Sequence, residues 1–307
     1  MKITILVPTY RRPVDLQRCL GSLERLDRLP DEVLVVHRPD DDDTKGVLAQ
    51  AWALPVRAVE VRVEGVVAAV NRGFDATTGD VVVMIDDDAA PHPDWLTRIV
   101  AHYDADPKLG ALGGRDVIYV AGEAVLPGEQ EVGTVSWYGR MVGAHHLGVG
   151  DARSVAVLKG VNMSFRTAAL RDHRADERLL GRGAQVHFEV GLCNDITKDG
   201  WRIVYDPHVL VDHFPSVRHD SDKRSGFAFD AQFNKAHNEE VMILDHLKSW
   251  QRPAFVIWGF AIGTSDVPGL LQLPRIALMG RQVPVQRLVA SWRGRAKGMG
   301  TWWRTHR

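Results

Sequence analysis

The chain has 307 residues, of which 45% are hydrophobic and 25% charged, and a formal net charge of −1. This composition argues against a disordered chain, and two cysteines, Cys19 and Cys193, are too few for a disulfide framework or a thiolate metal site. A reducing, cytoplasmic setting is expected, because the apolar start ILV is too short for the core of a signal peptide.

In chain order, Ile3 to Val7 reads as a strand. A helix follows Pro13, with Val14, Leu16, Leu20, Leu23 and Leu26 at roughly helical spacing and proline near its first position. Val33 to Val36 is a second strand, Thr44 to Trp52 a short helix, and Val56 to Val61 a third strand. Gly65 to Ala76 reads as a helix and Val81 to Ile85 as a fourth strand. Strands that are apolar throughout, separated by helices, predict an α/β fold with a parallel sheet covered on both faces, doubly wound. After Ala121 the alternation weakens, so a nucleotide half over 1–120 is followed by a less regular substrate half of the same body over 121–235. A helical, basic extension is expected over 236–307. From Val267 to Arg307 there are eight Lys or Arg and no Asp or Glu, so the remaining 266 residues carry 30 basic against 39 acidic side chains.

The fourth strand runs straight into Asp86, Asp87 and Asp88. Three adjacent carboxylates at the end of an apolar strand need something positive beside them. In open α/β sheets ligands lie at the carboxyl ends of the strands, so the loops PTYRR, RPDDDDT and IDDDAAP should converge on one crevice. Neither G-x-G-x-x-G nor the P-loop pattern follows the first strand, so dinucleotide and ordinary ATP sites are not expected. A carboxylate cluster instead suits a hard divalent cation, Mn²⁺ or Mg²⁺, that shares its shell with substrate phosphates.

Four stretches carry a family resemblance: ILVPTYRRPVDLQRCLGSL, GVVAAVNRGFDATTGDVVVMIDDDAAPHPDWL, LKGVNMSFRTAAL and HFEVGLCNDITKDGWRIVYDPHVLVDH. In this order, across about residues 1 to 215, they resemble the family 2 glycosyltransferases of GT-A fold. The resemblance implies an inverting transferase that uses a nucleotide diphosphate sugar, UDP or GDP, with Mn²⁺ or Mg²⁺. It implies that Thr9 and Tyr10 meet the nucleobase and that Asp86 to Asp88 are the D-x-D motif, with Asp86 near the ribose, Asp87 between, and Asp88 on the metal. Asn71 and Arg72 match the helix that approaches the donor nucleotide, Gly160 and Asn162 a loop beside the donor sugar, and His213 a histidine that reaches the metal or diphosphate. Glu189 falls at the catalytic carboxylate, where the usual Glu-Asp pair appears as Phe188-Glu189. His37 stands where many members carry a base-reading aspartate, so Asp40 or a neighbour takes that place.

The chemistry follows from charge. An acceptor hydroxyl displaces the nucleotide diphosphate, Glu189 takes the proton, and the cation, with Arg72 and the amino end of the helix near Gly65, offsets the charge on the leaving group. Asp195 is the next candidate base. Two other readings compete. Haloacid-dehalogenase-type phosphatases place D-x-D at the end of their first strand, whereas three strands precede it here. A non-catalytic sugar-nucleotide-binding protein would bind donor and never turn over. The expected partners are the donor, a glycan or lipid-linked acceptor and, through the basic tail with Trp292, Trp302 and Trp303, an anionic membrane surface; no nucleic acid is expected. The same tail has an alternative reading as a helix packed on the body. Trp95 is expected to anchor the D-x-D turn by packing, and Cys193 to lie in the core.

Overall fold

The computed structural model describes residues 1–120, 122–216, 226–280 and 283–306. Position 121, where the second segment was expected to begin, and two basic residues of the tail, Arg281 and Arg307, lie outside the described residues. The nucleotide half contains β1 (Ile3–Pro8), α1 (Pro13–Leu23), β2 (Glu32–His37), α2 (Asp42–Leu48), β3 (Val56–Glu60), α3 (Val66–Ala76), β4 (Val81–Ile85), β5 (Ala89–Pro91), α4 (Trp95–Ala105) and β6 (Leu109–Val120). Short strands β7 (Glu123–Ala124), β8 (Thr134–Val135), β9 (Met141–Val142) and β10 (Arg153–Ser154) lead to β11 (Asn162–Arg166), α5 (Phe188–Lys198) and β12 (Arg202–His213). Four helices close the chain: α6 (Phe229–His246), α7 (Arg252–Ala261), α8 (Leu273–Leu278) and α9 (Pro284–Thr305).

The main sheet has the order β10-β12-β6-β11-β4-β1-β2-β3, so strands from both halves share it. β3, β2, β1 and β4 are parallel, as the apolar runs predict. β11 enters antiparallel between β4 and β6, which makes the sheet mixed. β1, β2 and β4 are buried almost throughout, with helices over both faces. Leu16, Cys19, Leu20 and Leu23 of α1 and Trp95, Leu96 and Ile99 of α4 cover one face; Val67, Val70 and Phe74 of α3 and Leu192, Cys193 and Ile196 of α5 cover the other. Each buried leucine of such a stripe contributes about 2 kcal/mol.

Two elements differ from the sequence reading. α2 begins at Asp42 because the Asp41 side chain caps it, accepting from the Thr44 amide at 3.1 Å, and it stops before Trp52, whose indole N–H donates to the Val47 carbonyl. β3 is an edge strand in which only Val59 is buried, so it is not apolar on both faces as expected. The C-terminal helices pack on the body. α9 lies along α6 so closely that a Cβ at Gly294 would stand 2.4 Å from the Phe233 carbonyl oxygen. The fully buried Arg295 guanidinium bridges Glu239 at 2.8 Å and Glu240 at 2.7 Å.

Candidate active site

The triplet sits where β4 leaves the sheet centre. A turn closed by the Ala89 amide on the Asp86 carbonyl sends the chain into β5, which pairs antiparallel with the end of β12 in the register Ala89 to His213. That register sets His213 beside Asp88, with Nε2 3.4 Å from Asp88 Oδ1. β12 also runs parallel to β6, and there Asp116 Oδ2 accepts from His213 Nδ1 at 3.2 Å.

The three aspartates have separate surroundings. Asp87 is buried and structural: it accepts from the Thr9 hydroxyl at 2.7 Å and pairs with Arg12 at 2.8 Å. Asp88 lies 3.5 Å from Arg12 and accepts from the Ser216 amide at 3.0 Å. Burial opposes its charge, but His213, the Ser216 amide and Arg12 hold its carboxyl below the usual carboxylate range. Asp86 is half-buried at the cavity wall, and burial together with Asp88 raises its carboxyl. Thus Arg12, His213 and, at longer range, Lys159 supply the positive charge that the triplet requires.

Asp86, Asp88 and His213 each offer a ligand atom within 4.8 Å of the others. His213 Nε2 is buried and, among the described residues, makes no well-formed hydrogen bond, while its Nδ1 is oriented by Asp116. Two carboxylates and one imidazole held by an outer carboxylate fit Mn²⁺ or Mg²⁺. Burial disfavours an imidazolium there, yet the hydrogen bond to Asp116 and the Asp88 carboxylate beside Nε2 push the group up to about 9, so a cation would have to displace a proton.

This cluster forms one wall of a cavity of about 870 Å³. Thr9, Tyr10 and Arg12 from the loop after β1, Arg38 from the loop after β2, and Asp86 to Asp88 line it together, as do Gly160, Glu189 and His213. The Tyr10 ring lies under two guanidinium groups, Arg11 at 5.0 Å and Arg38 at 5.9 Å, which makes a flat, polarised surface at one end. Glu189 is in the first turn of α5, whose stripe of Phe188, Leu192, Cys193 and Ile196 is buried. Its Oε2 is buried without a hydrogen-bond partner among the described residues, and burial, assisted by Asp86, raises the carboxyl to about 7.

Four expected residues are placed elsewhere. Asn71 clamps the backbone of Ala175, accepting from its amide at 2.7 Å and donating to its carbonyl at 2.9 Å. Arg72 is exposed and reaches the Glu60 carbonyl, outside the cavity lining. Asn162 spends its amide on Trp95 Nε1, Arg115 O and Val209 O, so it pins three elements behind Gly160. Trp95 is therefore both the expected packing anchor and a hydrogen-bond donor. Asp40 is half-exposed at the rim, near Arg11 and Arg38, and does not line the cavity. The amino end of α3 is also occupied, since Gly183 O and Gln185 Oε1 accept from the Val66 and Val67 amides. At Gly65, with φ of +106°, a Cβ would stand 2.1 Å from Gln185 Oε1, which only glycine avoids. Asp195 pairs with Lys198 at 3.6 Å and is absent from the cavity lining.

Residues not singled out from sequence replace them. Arg12 stands in the PTYRR loop, and Lys159, immediately before Gly160, lines the cavity while pairing with Asp116. Lys159 had a legible cue in its place beside Gly160. Asp116 had none, since only the register of β6 against β12 brings it to His213.

A mixed α/β sheet with an acidic turn on the β4 end, facing a helix-borne carboxylate across one cavity, defines a GT-A glycosyltransferase. Residues 4–173 match the family model "Glycosyl transferase family 2". The chain belongs to glycosyltransferase family 2. It is 31% identical over 149 residues to a glucosyl-dolichyl phosphate glucuronosyltransferase of Haloferax volcanii, covering 47% of this chain and 45% of that one. It is 26% identical over 220 residues to a pre-mycofactocin glycosyltransferase of Mycobacterium tuberculosis, covering 69% and 42% respectively. The chain spans less than half the length of these two relatives. Among solved structures, the mannosyltransferase PcManGT from Pyrobaculum calidifontis, in complex with GDP-Man and Mn²⁺, superposes with a TM-score of 0.60 at 18% identity over 97% of this chain and 87% of that one. S. aureus TarS 1-349 with UDP-GlcNAc gives 0.60 at 17% identity over 98% and 89%.

Proposed function

We propose that this glycosyltransferase moves a sugar from a nucleotide diphosphate sugar, UDP- or GDP-linked, to a hydroxyl of a glycan or lipid-linked acceptor, with inversion at the anomeric carbon. The observation that carries the reading is the single cavity with an acid–histidine cluster on one wall and Glu189, its carboxyl raised to about 7, among the same lining residues. The family membership, and the GDP-Man with Mn²⁺ and UDP-GlcNAc bound in the solved neighbours, support the donor class. The dolichyl phosphate in the name of the Haloferax relative supports a lipid-linked acceptor, and such an acceptor would be met at a membrane surface by a peripheral protein.

In this reading Tyr10 stacks the base between its ring and the cavity, and Thr9 and Arg12 hold Asp87 so that the D-x-D turn keeps its shape. Asp86, Asp88 and His213 would hold Mn²⁺ or Mg²⁺, which would supply Lewis-acid neutralisation of the diphosphate. Lys159 adds a cationic side chain to the same lining. As the acceptor oxygen bonds to the anomeric carbon and the bond to the diphosphate breaks, Glu189 takes the hydroxyl proton. A carboxyl near 7 suits that task, being charged for much of the time at neutral pH yet basic enough to accept.

Thermal unfolding in the presence of UDP-, GDP- and dTDP-sugars with Mn²⁺ tests the donor. One donor at a hundredfold excess over its Kd should stabilise the fold by about 2.7 kcal/mol. No shift with any donor would overturn the assignment, and a shift without turnover on any envelope acceptor would favour the non-catalytic reading.

A further inference from the structure

The C-terminal helices expose an uneven share of large apolar side chains. Between Leu270 and Val289, Leu270, Leu271, Leu278, Met279, Val285 and Val289 are exposed, Leu271 to 68% and Leu278 to 88%. Single exposed leucines are ordinary, but a cluster of this kind on one module marks a contact surface. The elements that carry these side chains adjoin one another. The Gly269 amide donates to the Ile262 carbonyl at 2.9 Å, which ties the end of α7, where Ile257 and Ile262 are also exposed, to the Leu270 turn. α8 in turn packs on α9.

Two of the three tryptophans expected to face a membrane turn inward instead. Trp292 donates its indole N–H to the Phe260 carbonyl, and Trp302 lies 4.6 Å under the Arg252 guanidinium; Trp303 alone of the three is exposed. Among the described residues, the exposed cations of the module are Arg275, Arg293, Lys297 and Arg304, whereas Arg295 is consumed by Glu239 and Glu240 inside. Asp266, at the edge of the module, pairs with Lys235. No Asp or Glu occurs from Val267 to Arg307, while the rest of the chain is acidic. An anionic surface would attract this end of the molecule and be repelled by the remainder. No described helix is long and apolar enough to cross a membrane, so the fitting geometry is in-plane.

We propose that the face built from α7, the Leu270 turn, α8 and the first turns of α9 seats on an anionic lipid leaflet. Leu271 and Leu278 enter the headgroup boundary, and Arg275 and Arg293 meet lipid phosphates. This deepens the peripheral reading above and rests on it only for where the acceptor is met.

Flotation with vesicles tests it, using phosphatidylcholine alone and phosphatidylcholine mixed with phosphatidylglycerol. The full chain should float with the mixed vesicles only, and high salt should release it. Leu271→Glu combined with Leu278→Glu should weaken partitioning at least about tenfold, given the apolar area withdrawn from lipid and the added charge. Leu126→Glu, at an exposed leucine far along the chain from this module, should partition as wild type. Circular dichroism and donor thermal shifts on the same preparations check that the double variant is folded. Absence of flotation, or equal flotation of the double variant, would overturn the proposal. So would a wild-type dimer in sedimentation that the double variant abolishes without any vesicle binding, which would assign the face to a second copy. Flotation without any donor shift would leave the surface standing and remove the transferase reading alone.

Discussion

Glu189→Gln separates chemistry from stability at one atom. The amide keeps the shape of the carboxylate but cannot take a proton. Turnover should fall by roughly 10²- to 10⁴-fold, the usual effect of a positioned base, with donor affinity nearly unchanged. Stability should move the other way. Burial lifts the wild-type carboxyl from 4.5 to about 7, which is about 3 kcal/mol against the charged form. Since the folded value is raised, the neutral carboxyl costs nothing extra below about 4.5, and the penalty grows as the pH rises to about 7. Above that the Gln variant should therefore exceed wild type by up to about 3 kcal/mol, and at pH near 4 the two should match. Wild-type rates should fall about tenfold per pH unit below 7, because only the ionised carboxylate accepts the proton. Urea unfolding at both ends of this range, with initial rates and donor titrations on the same protein, decides the matter. Wild-type turnover by the variant would refute the role of Glu189; an unchanged stability difference between acid and alkaline pH would refute the buried-charge argument.

Asp88→Asn should lose most Mn²⁺-dependent donor binding while Cys193→Ala, in the core, keeps it; calorimetry with and without Mn²⁺ reads the difference. Asp116→Ala leaves Asp86, Asp88 and His213 in place but removes the acceptor that orients His213, and metal affinity measured by titration should drop roughly 10- to 100-fold. Arg295→Met should destabilise the fold by about 3–5 kcal/mol in urea, because Glu239 and Glu240 remain buried without their partner. Burial already raises the Glu240 carboxyl to about 7, so that loss should shrink in acid, where the stranded group is neutral.

The parts of the fold legible in sequence are those that one segment decides alone. β1, β2 and β4 are written as apolar runs because both their faces are covered, and α5 is written as a stripe because only one of its faces is. β3 breaks the rule because its neighbour exists on one side only. The insertion of β11 between β4 and β6 depends on pairing between distant segments, which no local pattern records. The site divides in the same way. The acid triplet, Glu189 and His213 stand in dense motifs. Asn71 and Arg72 lie on α3, but their side chains reach Ala175 and Glu60 and not the cavity: each residue turns a helix by about 100°, and Val67, Val70 and Phe74 take the inward face. Asn162 has the composition of a ligand, yet its three partners lie on α4, β6 and the middle of β12 and are invisible until the strands meet.

One helix–loop contact bears on how such an enzyme can change. Buried Asn238 of α6 grips the segment before Glu189 by its backbone, accepting from the Leu180 amide at 2.8 Å and donating to the Leu180 and Val186 carbonyls at 2.9 and 3.2 Å. His237 beside it contacts Thr301 of α9, so the last helix braces the same grip. Because these bonds involve main-chain atoms, the side chains of Arg182 and Val186 on the cavity lining are not what holds the loop in place. Changing them leaves these main-chain bonds in place. A library varied at those two positions should explore donor preference with little loss of folded protein, whereas removing α9 would loosen the frame itself.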